Sequence, residues 1–72
     1  MTTQDPETVR NLEAILDHIG LSLTLELLAD ICGEKADHLR SNWQDESTAR
    51  TWERAGRTIA RIADHAPITA LD

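Results

Sequence analysis

Apolar and polar positions along the chain fall into three stretches of helical period. Val9, Leu12, Ile15, Leu16 and Ile19 recur at steps of three and four, which gathers them on one face of a helix over about 6–19. Asp5 precedes this run as a capping acid, Pro6 and Glu7 suit a first turn, and Gly20 follows as a natural stop.

The second stretch opens on LSLTLELL, Leu21 to Leu28, whose strict alternation imitates a half-buried strand. The helical reading reaches further. Leu21, Leu25, Leu28, Cys32, Ala36, Leu39 and Trp43 share one narrow sector of a helical projection, and the chain offers no second strand to satisfy a lone strand's backbone. The spacing predicts a helix over about 22–43, capped by Ser22, with Leu21, Leu25 and Leu28 in the core. Leu23, Leu27 and Ile31 form a second stripe on it, turned by roughly 120° from the first. Gly33 lies mid-helix at a cost of about 1 kcal/mol relative to Ala. A close helix crossing, a bend or a break is expected there.

Asn42-Trp43-Gln44-Asp45 reads as a turn, with Asp45 capping a third helix over about 46–66. Ala49, Trp52, Gly56, Ile59, Ala63 and Ala66 repeat at heptad spacing along it, a mostly small face that lets another helix come close. Pro67 ends the helix. Glu46–Arg50 and Glu53–Arg57 are favourable i,i+4 pairs. Residues 1–4 and 68–72 are expected to be loosely ordered tails. The fold class is all-α, a helical hairpin or three-helix bundle, and residues 1–72 form a single small domain.

Size changes this picture. A chain of 72 residues buries a marginal core and usually needs a staple or a partner. Cys32 is the only cysteine, so no intramolecular disulfide forms, as in a reducing cytoplasm. The N-terminus lacks a basic-then-apolar leader, and no apolar run approaches a membrane span. A net charge of −6 disfavours nucleic acid and anionic membranes. Residues 1–44 carry three basic and eight acidic side chains, whereas residues 45–66 carry four of each.

Candidate chemistry is sparse. Glu34 and His38 share a helix face near Glu26, Asp30 and Asp37, but no repeated Glu-x-x-His, no HExxH and no zinc-spaced Cys/His set accompanies them. Cys32 falls within an apolar stripe, where a thiol packs rather than reacts. The Asp-His doublets at 17–18, 37–38 and 64–65 point their side chains about 100° apart on a helix and are not built-in pairs. Residues 25–44 loosely resemble a helix-turn-helix, with Ala29 and Gly33 at the small and turn positions and Arg40, Ser41, Asn42 and Gln44 available to bases. Glu34, Asp37 and the acidic chain oppose that reading. No catalytic residue, cofactor or metal ligand is assigned.

The surplus of apolar surface carries the functional expectation. The third helix cannot cover both stripes of the second, so a homodimeric bundle is expected, with Leu12, Leu16, Leu23, Leu27 and Ile31 at its interface. Trp43 and Trp52 bracket the second turn and either clamp the bundle end by packing there or serve as interface anchors. Arg50, Arg54, Arg57 and Arg61 share a sector about 60° wide, a ridge suited to charge-guided docking with a second protein. The expected function is that of a non-enzymatic, cytoplasmic accessory or regulatory module of bacterial type. A helix-turn-helix DNA-binding regulator is the alternative and a helical metal-binding protein the third reading.

Overall fold

The computed structural model describes residues 5–71. It contains three α-helices: α1, Pro6–Ile19; α2, Leu21–His38; and α3, Glu46–Ala63. Asp5 caps α1 by accepting from the Glu7 N–H at 3.2 Å and the Thr8 hydroxyl at 3.0 Å. Gly20 alone separates α1 from α2. Its φ of 88° suits glycine and redirects the chain, and its N–H closes α1 on the Leu16 carbonyl at 2.8 Å.

Ser22 does not cap α2. It lies buried in the first turn, and its Oγ donates to the carbonyl of Ala63 at 3.0 Å. Ala63 closes α3, and carbonyls at a helix end lack intrahelical partners. One hydroxyl thus ties the start of α2 to the end of α3.

Helices α2 and α3 form an antiparallel hairpin with a seam of small residues. A Cβ added at Gly56 would lie 3.1 Å from the Ala29 carbonyl oxygen and 3.1 Å from Cys32 Cβ. The contacts Ser22–Ala63 and Ala29–Gly56 set one register, and continuing it brings Ala36 opposite Ala49. Both helices therefore place their smallest residues at seven-residue steps, and Ala36, Ala49 and Ala63 are fully buried. The close approach expected at Gly33 occurs at Gly56 instead. A Cβ at Gly33 would meet nothing within 4 Å, and α2 runs through Gly33 without a break.

That continuity removes the turn from the helix-turn-helix reading of residues 25–44. Beyond His38 the helical run passes into a π-turn, Leu39–Trp43, which sequence periodicity did not reveal. Gln44 then adopts a left-handed conformation (φ 52°), and Asp45 caps α3 by accepting from the Thr48 N–H at 3.1 Å. Trp43 is 71% exposed, so the tryptophans do not clamp the bundle end together. The adjoining first turn of α3 is Glu46-Ser47-Thr48, which offers an indole no apolar surface.

A seam this narrow leaves its flanks open. Leu28, expected in the core, is 43% exposed, whereas Leu21, Leu25 and Leu39 are half-buried. Among the described residues no large side chain is fully buried. Helix α1 buries no residue at all, so the three helices do not close into a bundle. The radius of gyration is 14.2 Å, against about 11 Å for a compact chain of this length.

Helix α3 stops at Ala63, short of Pro67 and of the expected end at 66. The tail expected to be loose forms a 3₁₀ turn at Thr69–Leu71 against α2, with Ile68 half-buried and Leu71 still 64% exposed. Residues 1–4 and 72, the rest of the expected tails, lie outside the described residues.

The two mid-helix glycines make opposite predictions. Gly56→Val should destabilise the protein by about 1–3 kcal/mol by forcing the seam apart. Gly33→Ala should stabilise it by about 0.5–1 kcal/mol, because open space and better helix propensity await the methyl group. Urea denaturation at one fixed protein concentration measures both; a destabilising Gly33→Ala would contradict the placement of the crossing.

Candidate interaction surface

Exposed large apolar side chains concentrate on α1 and α2. Val9, Leu12 and Ile15 are exposed on α1, and Leu23, Leu27, Leu28 and Ile31 on α2. Helical spacing puts Leu23, Leu27 and Ile31 on the side of α2 turned away from the α3 seam. Leu16 is half-buried where the 3₁₀ turn comes near, in a hollow it shares with Ile19, Leu21 and Leu71. Five of the expected interface residues thus lie along α1 and the outer face of α2, and Trp43 is exposed apart from them.

Trp52 is half-buried and belongs to a different feature. It lines a groove of about 490 Å³ with Ile31, Glu34, Lys35, His38 and Leu39. The Lys35 ammonium sits 5.9 Å from the centre of its ring, at the edge of cation–π range. His38 Nδ1 lies 2.9 Å from Asn42 Nδ2 across one turn, which orients the imidazole at the groove's rim.

The hairpin is clasped at its closed end by Arg40, which supplies a network that the sequence pairs missed. Arg40 Nε and Nη2 donate to Glu46 at 2.9 and 3.0 Å, and Nη1 and Nη2 donate to Glu53 at 2.6 and 2.9 Å. Glu53, expected to pair with Arg57, gives both carboxylate oxygens to Arg40, whereas Glu46 also holds Arg50 at 3.2 Å as expected. The π-turn positions Arg40 over the first two turns of α3, a proximity that one-dimensional spacing does not encode. Hydrogen bonds from Arg40 hold the Glu53 and Glu46 carboxyls below the usual range, and the same bonds raise the Arg40 guanidinium above its own. The Thr48 backbone amide, then its hydroxyl, lowers Asp45.

Arg50, Arg54, Arg57 and Arg61 run along the exposed surface of α3. Arg54, Arg57 and Arg61 border a shallow hollow with Thr58 and Ala60. Cys32 is a free, buried thiol against Gly56 in the seam and acts there as a small apolar group. Among the described residues no three His, Cys, Asp or Glu side chains gather where they would hold a metal ion. No described helix is long and apolar enough to cross a membrane.

The fold and this surface define a small helical hairpin preceded by an amphipathic helix. Compared with known protein families, curated proteins and solved structures, the chain matches none.

The sign of the pH response follows from the carboxylates. Their folded values lie below their unfolded ones, so the clasp contributes fully above the ordinary carboxylate range and is lost as pH falls through the lowered values. In an NMR titration Glu46 and Glu53 should titrate below the ordinary carboxylate range. Arg40→Gln should return both toward the ordinary range; unchanged midpoints in that variant would contradict the clasp.

Proposed function

We propose that this chain is a non-enzymatic interaction module that works through the apolar faces of α1 and α2, first of all by pairing with a second copy of itself. The observation that carries this reading is the absence, among the described residues, of any fully buried large side chain while seven large apolar residues stand exposed on two successive helices. A soluble monomer leaves single apolar residues exposed, and seven on two successive helices with no large side chain buried beneath them support an interface.

Surface area supports the same reading. The chain exposes 5635 Å², whereas a folded monomer of its mass exposes about 4,450 Å². The surplus, about 1,200 Å² per chain, exceeds the roughly 800 Å² per partner of a standard interface. The outer stripe of α2 is self-complementary: with a two-fold axis at Leu27, Leu23 of one chain faces Ile31 of the partner subunit. The arginine ridge on α3 stays outside that contact. It is left to orient a second, acidic protein partner, a role supported by four like charges on one helix.

Light scattering coupled to size exclusion tests the pairing. At micromolar concentration the protein should elute at twice 8.0 kDa. Leu27→Glu, which sets two carboxylates at the axis, should raise the dissociation constant at least about thirtyfold, the scale of a central hot spot. Joint Arg54→Glu and Arg57→Glu substitution should leave the dimer within a few-fold of the wild type. A monomer at every concentration would reject the pairing.

A further inference from the structure

We propose that the Trp52 groove is the docking site for α1 of the second copy, so that each hairpin is completed by its partner's first helix. This rests on the pairing proposed above and specifies where α1 goes. The groove is the continuation of the outer stripe of α2, since Ile31 belongs to both. It lies along the C-terminal half of α2, whereas the chain's own α1 joins α2 at the opposite end through the single residue Gly20. A two-fold axis at Leu27 reverses the second α2 and sets Gly20 of the partner subunit opposite Glu34. The partner's α1 therefore leaves its own hairpin beside Lys35, His38 and Trp52.

The two surfaces match in chemistry. Val9, Leu12, Ile15 and Leu16 give α1 one apolar face, and the groove presents Ile31, Leu39 and the half-buried Trp52 ring. Glu13 borders that face, whereas Lys35 and His38 stand on the groove's rim; Glu34 is the one like charge there. At 14 residues α1 is about 21 Å long, enough to span the groove. The surface surplus also fits better if α1 is covered as well as α2, because α1 by itself buries nothing.

Two measurements on the full-length chain test this. In the first, Asp17→Cys protein is mixed with Lys35→Cys protein and treated with a short bismaleimide. A covalent heterodimer whose peptides join positions 17 and 35 is expected, with the buried Cys32 unmodified. In the second, Trp43→Phe leaves Trp52 as sole reporter. Adding Leu12→Glu should shift Trp52 emission to the red at concentrations where light scattering still records a dimer. A dimer with neither the 17–35 link nor the shift overturns this docking and leaves the pairing intact. A protein monomeric at all concentrations overturns the pairing, and the docking with it.

Discussion

The approach of α2 to α3 at Gly56 governs the rest of the molecule. With Ala29 O and Cys32 Cβ at 3.1 Å from where a side chain would begin, the helices touch almost backbone to backbone. Such a seam accepts only Gly, Ala, Ser and Cys along its centre, and those residues supply little apolar area when buried. The hairpin gains close van der Waals contact and a defined register but gives up the buried Leu and Ile side chains on which a small domain usually relies.

That trade accounts for the surface. Leucine and isoleucine excluded from the seam remain on its flanks and outer side, and α1, attached through one glycine, touches α2 without burying a residue. An elongated molecule with an excess of accessible surface results. The same geometry leaves the pairing and docking proposed above a surface to act on, because the small-residue seam keeps the outer stripe of α2 clear of α3 and leaves the groove between Trp52 and the C-terminal half of α2 open.

The closed end of the hairpin is organised by polar contacts instead. The π-turn carries Arg40 over the start of α3, where Glu46 and Glu53 share its guanidinium. Partial exposure keeps such a clasp modest in energy, yet two carboxylates in fixed directions set how α3 leaves the turn. Ser22 does the corresponding work at the open end with one hydroxyl and one leftover helix carbonyl.

By itself the sequence determined the three helices, their caps at Asp5 and Asp45, the break at Gly20, the small face of α3 and the surplus of leucine on α2. These follow from period, cap chemistry and backbone freedom, all of which act within a few residues. Only the tertiary structure decided which glycine marks the crossing, because Gly33 and Gly56 look alike until a neighbouring helix is placed. It also decided that Ser22, Ala29 and Ala36 pair with Ala63, Gly56 and Ala49, that Arg40 rather than Arg57 takes Glu53, and that Trp43 stands in solvent while Trp52 lines a groove. Each is a contact between residues distant in sequence. Its existence depends on register and rotation between helices, which local periodicity constrains to a face but not to a partner.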